Sequence, residues 1–428
     1  MFVRQAARAA RSSDVGNEPD AARRSPGAAG SSLRSMRGPE VILKVGREGP
    51  TLGGHPWVFS GAVAAIEGNP EPGAVVRVRG ADGHLVGYGT ISPRGAIAVR
   101  LFSRNDEKID ASFIGRRVGR AFELRGAMVP ADTSAYRLLN AEGDGLPGVV
   151  ADWYGGWVVV QYLTAGAEGI SPFVEAALEN LCSPRGIHER SEGTVRRGDG
   201  LLDRCGHRWG EPAPVLLSII EGGARFLINV RAGQKTGFFL DQRENRRVAR
   251  ELARDRLVLD VFGYTGAFAI AAGLGGARRV VSVDSSAPAV ELAHANWAEN
   301  GLDAERVAFV RADAFQYFRD VHEPADLVIL DPPAFAKRRR DAEAALRGYR
   351  EINRQAFLRL APGGWLLTCS CSHHVSADSF RIAVMNAAAE ARRSAQIVRR
   401  LGPGPDHPVA VAHPEGDYLK GYLVRVVD

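Results

Sequence analysis

The sequence predicts a protein of the α/β class, in which a parallel sheet covered by helices follows a small β-barrel and a small α+β domain. Three observations predict it. Residues 40–104 hold short apolar runs broken by Gly and Pro clusters, with no helical period. Residues 130–230 mix strand and helix patterns. From residue 233 onward, runs that are apolar throughout alternate with helical stretches, as strands buried on both faces do.

Composition agrees with this reading. The 428 residues are 45% hydrophobic and 24% charged, which suits a globular chain and excludes collagen, coiled coil or disorder throughout. Gly, Asp or Arg breaks every apolar stretch well short of the roughly 18 residues a membrane span needs. No membrane association and no secretory signal peptide are expected. Lys and Arg number 55 against 49 Asp and Glu, a net charge of +6. That balance suits a polyanionic partner, or simply a solvated basic surface. Cys182, Cys205, Cys369 and Cys371 form no CxxC pair and no zinc spacing, so no metal site is expected and a cytoplasmic location is.

The elements follow in order. Residues 1–38 are rich in Arg, Ala, Ser and Gly without a hydrophobic period, an expected disordered extension. Asp14, Glu18 and Asp20 argue against an organellar transit peptide, and Met36 is an alternative start. Residues 39–105 read as the barrel, from VILKV, HPWVFSGAV, AVVRVRG, HLVGYGTIS and AIAVRLFS, with Asp82-Gly83 as a hairpin turn. Arg77, Arg79, Arg94 and Arg100 are either a phosphate-contacting face or the polar side of alternating strands. Residues 106–230 hold a helix over 110–126 capped by Asp110, then a hairpin around Gly155-Gly156. The amphipathic helix SPFVEAALENLC and further strands complete two hairpins around a helix.

Residues 231–428 supply the sheet: LVLDVF, VVSVD, VAFVRAD, ADLVILD and GWLLTCS, then a strand near 395–400 and YLKGYLVRVV, close enough to pair antiparallel. In such a sheet ligands bind beyond the carboxyl ends of the strands. The first strand ends in Asp260, Phe262, Gly263 and Gly266, where glycines allow a tight turn and close approach of a ligand. The second ends in Asp284, placed to accept ribose hydroxyls, and the third in Asp313, placed to meet an adenine amine. The fourth ends in Asp331-Pro332-Pro333-Ala334-Phe335 and the fifth in Thr368-Cys369-Ser370-Cys371-Ser372. An acid at a strand end is often only a helix cap, but four in succession point to an adenosine ligand. The turn lacks GxGxxG, and the DPP turn favours S-adenosylmethionine over a nicotinamide cofactor.

GQKTGFFLDQRENR (233–246), LDVFGYTGAF, DPPAF, SCS and DHP…PEGDYLKG together resemble the ribosomal RNA large subunit methyltransferase I family, from about residue 40 to the end. The resemblance implies a Rossmann-like class I methyltransferase domain, with a seven-stranded sheet whose last strand is antiparallel. It implies an RNA-binding PUA barrel before it, formation of 5-methylcytosine in 23S rRNA, and hints at a homodimer.

The chemistry needs a thiolate at carbon 6 of cytosine, because carbon 5 is a poor nucleophile until the ring becomes an enamine. Gly363-Gly364, six residues, then Cys371-Ser372 matches a pattern of RNA cytosine-5 methyltransferases, which makes Cys371 the nucleophile. Cys369, two residues back on the same strand face, is the competitor. Asp331 is the expected partner of the base, Pro332 stiffens its turn, and Phe335 can stack on the base. Ala334 stands where a broader two-cysteine pattern has Cys, so product release has no second thiol there, and the base that removes the proton is unassigned. Lys235 and Arg243 are expected at the cofactor carboxylate or an RNA phosphate. Asp241 with Glu244 reads as a capping box for the helix QRENRRVAREL. Lys337 and Arg338 open a basic run that either contacts phosphates or is solvated. Two other readings stand beside this one: methylation of an exocyclic base amine, which needs no thiol, and a non-catalytic RNA-binding assembly factor.

Overall fold

The computed structural model describes residues 38–336 and 338–428. The expectations for residues 1–37, Met36 included, and for Lys337 lie outside the described residues.

Seven strands build the C-terminal sheet: β1 (Leu257–Val261), β2 (Arg279–Asp284), β3 (Val307–Arg311), β4 (Ala325–Leu330), β5 (Leu360–Ser370), β6 (Ala395–Leu401) and β7 (Lys420–Val426). Their order is β3-β2-β1-β4-β5-β7-β6, and only β7 runs antiparallel to its neighbours. The helices are α1 (Arg243–Leu252), α2 (Ala267–Leu274), α3 (Ala287–Glu299), α4 (Ala314–Asp320), α5 (Ala342–Arg359) and α6 (Ala377–Glu390). Strand alternation explains the layers. Leu327 and Ile329 of β4 face a core with Phe268, Ile270 and Trp297 of α2 and α3, while Val328 and Leu330 face Tyr349, Ile352, Phe357 and Phe380 of α5 and α6. Because β1 to β5 are parallel, their carboxyl ends share one edge, and the strand order reverses between β1 and β4.

Residues 40–103 form a six-stranded sheet whose two edge strands, Trp57–Phe59 and Val63–Glu67, are joined by the single turn Ser60–Ala62, so the sheet curls round on itself. Arg77 and Arg79 flank Glu40 at 3.7 and 3.4 Å. Arg100 is buried, 4.0 Å from Asp199 of the next domain, and so belongs to a domain seam, whereas Arg94 is exposed.

The small domain departs from the expected two hairpins. It is a five-stranded sheet, ordered Arg204–Gly210, Gly186–Ser191, Trp157–Tyr162, Val149–Tyr154, Ala135–Asn140. The two strands that patterning missed, AYRLLN and RCGHRWG, carry Arg, Gly or His where alternation would need apolar side chains. One face packs on the helices Ala111–Met128 and Ser171–Cys182. The other joins the catalytic half: Tyr154, Trp157 and Val159 share one core with Phe226, Phe238, Val248 and Phe268.

A loop after β6 closes the seam. Asp406 accepts from Arg243 Nη2 at 2.6 Å, Arg243 Nη1 at 3.1 Å and the backbone N–H of Arg137 at 2.9 Å. Its own carbonyl accepts from Arg125 at 2.8 Å, and the Pro408 carbonyl accepts from Asn140 at 2.9 Å. The barrel docks nearby, where Trp57 donates to Glu142 at 2.9 Å and the ring of His413 stands 4.4 Å from that of Trp57.

Candidate active site

The site residues gather along the carboxyl edge of β1, β2, β4 and β5. Asp260 ends β1 with 1% exposure. One oxygen accepts from Ser282 at 2.9 Å, and the other is buried without a partner. Burial pushes its carboxyl up to about 7. The turn that follows is strained, since Phe262 and Tyr264 adopt φ of 69° and 48°. Non-glycine residues hold such angles only where the surroundings impose them, at about 1–3 kcal/mol each. The imposing bonds are the N–H of Phe262 to the Val283 carbonyl at 2.9 Å and the N–H of Tyr264 to Asp284 at 2.9 Å. Gly263 has no room for a side chain: a Cβ would lie 2.1 Å from Ser282 Oγ and 2.7 Å from Asp260. Gly266, at φ 80°, opens α2 against Ala293 and Phe309.

Asp284 is half-buried and accepts from Tyr264 and Ser286 backbone N–H groups, one on each oxygen, so each oxygen keeps a lone pair. Asp313 is exposed and caps α4, accepting from Gln316 N–H at 3.0 Å with one oxygen. An unpartnered buried carboxylate oxygen, a turn open only to glycine and two acids with spare acceptors fit a bound nucleoside.

Asp331 follows β4 and is half-buried. It accepts from Gln242 Nε2 at 2.7 Å. Burial, aided by the charge of Asp241, pushes its carboxyl up to about 7. Cys371, just past β5, is partly buried and its Sγ lies 3.8 Å from the Pro332 carbonyl. Burial and the Asp331 charge push its thiol up to about 11. Cys369 is fully buried, with Sγ 4.0 Å from Gln242 Oε1. The chain beside Cys371 is pinned on both sides, as Lys420 donates to the Ser372 carbonyl at 2.7 Å and the Ser372 hydroxyl meets Tyr349 at 2.9 Å. His373 and His374 are exposed.

Other expected residues take different places. Arg243 is a correction: it is 5% exposed and forks onto Asp406, so its charge is spent inside the protein and not on a cofactor or phosphate. The capping box is also corrected. The helix starts at Arg243 behind Gln242, and Asp241 instead accepts from Lys235 at 2.6 Å and from Tyr418. Lys235 is exposed, its ammonium paired with Asp241 and 4.6 Å from the Phe239 ring centroid. Phe335 sits in an aromatic cluster, 4.7 Å from Tyr349, 6.1 Å from Phe315 and 6.3 Å from Phe262, while Pro332 is buried and Arg338 exposed. Sequence reasoning passed over Gln242, Ser372, Tyr349 and Lys420. Gln242 and Lys420 lie inside the quoted motifs, but nothing in their residue type announces neighbours 89 and 48 positions away.

Known proteins resemble this arrangement. A family model for S-adenosylmethionine-dependent methyltransferases matches residues 145–425, and a PUA-like domain matches 41–104. A ribosomal RNA large subunit methyltransferase I from Erwinia tasmaniensis is 40% identical over 392 residues, covering 90% of this chain and 99% of the relative. The chain belongs to the ribosomal RNA large subunit methyltransferase I family. Its Aeromonas salmonicida relative is 41% identical over 390 residues, covering 90% of this chain and 98% of its own. A Streptococcus mutans protein, provisionally classed as an S-adenosylmethionine-dependent methyltransferase, shares the fold at a TM-score of 0.79 and 23% identity, covering 90% of this chain and all of its own. The present methyltransferase therefore uses S-adenosylmethionine and carries a PUA-like domain. No helix among its described residues is long and apolar enough to cross a membrane.

Proposed function

We propose that this rRNA methyltransferase forms 5-methylcytosine in the large-subunit RNA through a covalent bond between Cys371 and the target base. One observation carries the reading: Cys371 is partly exposed with its thiol 3.8 Å from the Pro332 carbonyl, just past the strand that pairs with the one leading to Asp331, whereas Cys369 is fully buried. In this reading Gly263, Gly266, Phe262 and Asp260 wall the cofactor, Asp284 takes its ribose, Asp313 its adenine and Lys235 its carboxylate. S-adenosylmethionine supplies an electrophilic methyl group on a sulfonium.

The chain's own groups handle the base. Sulfur bonds to carbon 6 as the thiol gives up its proton, and ring nitrogen 3 gains one, which leaves an enamine with a nucleophilic carbon 5. Asp331 is suited to carry that proton. At a carboxyl value of about 7 it is substantially ionised at neutral pH, yet basic enough to accept a proton and pass it on. Once carbon 5 is methylated, nitrogen 3 returns its proton to Asp331. A water molecule takes the carbon 5 proton as the sulfur–carbon 6 bond breaks and the ring is restored, and the departing thiolate recovers its proton from Asp331. Phe335 and the exposed Arg338 would face the approaching RNA, and an rRNA substrate would place the reaction in the cytoplasm.

The test uses a large-subunit RNA fragment bearing 5-fluorocytosine, from which the carbon 5 substituent cannot leave. Wild type and Cys369→Ala should form a cofactor-dependent denaturation-resistant adduct, and Cys371→Ala should not. Full methylation of ordinary RNA by Cys371→Ala would overturn the thiol mechanism and favour an exocyclic amine.

A further inference from the structure

Gln242 occupies the N-cap position of α1, yet its side chain makes no capping bond. An N-cap side chain normally takes one of the helix's free N–H groups. The carboxamide turns away instead. It is 2% exposed, its Nε2 donates to Asp331 Oδ1 at 2.7 Å, and its Oε1 accepts from Asn245 Nδ2 at 2.6 Å. Asn245 is itself 2% exposed. Because an asparagine N–H₂ can only donate, the Gln242 oxygen must face it, and the Gln242 N–H₂ must face Asp331. The Cys369 thiol, on the same oxygen, reinforces that orientation.

We propose that Gln242 is a positioning residue that dedicates Asp331 Oδ1 to accepting, so that Oδ2 alone takes up and releases the proton exchanged with the base. The inference rests on the covalent reading above. It assigns a task to a side chain that touches neither base nor cofactor. Without that donor both oxygens can carry the proton and the carboxyl holds it more tightly, so less of it is ionised to receive the thiol proton.

The charged and titratable groups facing Asp331 come from several elements: Asp260 on β1, Asp241 and Lys235 before α1, Arg246 on α1, and Cys369 and Cys371 on or just past β5. Gln242 is the neutral donor among them, and its bond favours the ionised carboxylate. Removing it leaves the others in place and raises Asp331 further. The ionised form must be present to receive the thiol proton, so activity falls at neutral pH and returns when the pH is raised.

The test is the pH dependence of the single-turnover methylation rate on an rRNA fragment, between pH 6 and 10, for wild type, Gln242→Leu and Gln242→Glu. Leu removes the donor, and Glu replaces it with a like charge held by Asn245. In both, the acid limb should move up by about one pH unit. That costs about fivefold in rate at pH 7, with recovery to within about twofold of wild type at pH 9. Calorimetric binding of S-adenosylmethionine by Gln242→Glu within about threefold of wild type shows that the fold is kept. A limb that stays in place, or a rate equally depressed at pH 9, overturns the role of Gln242. Absence of the 5-fluorocytosine adduct in the wild-type enzyme would overturn the covalent reading instead, so the two failures are distinct.

Discussion

Replacing Asp406 by Asn should remove a large part of the protein's stability without touching the candidate active site. The Asp406 side chain has no exposed surface and, among the described residues, carries the only negative charge in bonding contact with both Nη atoms of Arg243, which is 5% exposed, its Nε without a hydrogen bond and 3.6 Å from Glu244. An amide has the same shape, but either way round it turns an N–H₂ toward Arg243 or toward the Arg137 N–H. It leaves the buried guanidinium with only the longer contact to Glu244, 3.6 Å from Nε, among the described residues. Breaking one side of such a pair costs about 3–5 kcal/mol, against a typical total of about 5–15 kcal/mol. The direct assay is urea unfolding followed by tryptophan fluorescence, where the midpoint should fall by about 1 M. The double variant Arg243→Met with Asp406→Leu removes both charges and should recover most of the loss. A loss under about 1 kcal/mol in Asp406→Asn, or no recovery in the double variant, would refute the argument. The pH dependence has a defined sign. Burial alone would raise Asp406, but His407 and Arg243 outweigh it and hold the carboxyl well below the usual range. The pair's contribution is therefore present above the unfolded value of about 4 and is lost as the pH falls below it.

Gly263→Ala should abolish S-adenosylmethionine binding by calorimetry, because the new methyl would overlap Ser282 Oγ and press on Asp260. Asp284→Ala should weaken the same binding by about tenfold or more, since it removes the proposed ribose acceptor together with the acceptor that holds the Tyr264 turn. Cys371 should react slowly with iodoacetamide at pH 7, with the rate rising nearly tenfold per pH unit up to about 11, when peptide mapping follows its label. Cys369→Ala should keep methylation activity and lose about 1 kcal/mol of stability, the cost of a small buried void.

Much of the catalytic half was legible because its signals are local. Strands such as LVIL show an unbroken apolar run, and an acid or glycine at a strand's end is placed by topology alone. The choice of Cys371 over Cys369 turned on the count from Gly363-Gly364, and the difference in depth, Cys369 buried and Cys371 partly exposed, is one that spacing only hinted at. Arg243 was misjudged because its partner Asp406 lies more than a hundred residues along the chain, and a lone arginine beside a motif looks like a ligand contact. Gln242 was invisible for a similar reason: its function is set by where its amide points. The strands 135–140 and 204–210 were lost because polar side chains face a domain seam or solvent there, which erases the alternation that marks a half-buried strand.

The core shared across residue 230 bears on how the protein is made. Tyr154, Trp157 and Val159 leave the ribosome roughly a hundred residues ahead of Phe268, their partner on α2. At elongation rates of about 5–20 residues per second that apolar face waits about 5–20 seconds for its α2 partner. Until translation catches up, the half-made polypeptide is a client for trigger-type holdases, and a chain that terminates early in that interval is destined for aggregation or proteolysis.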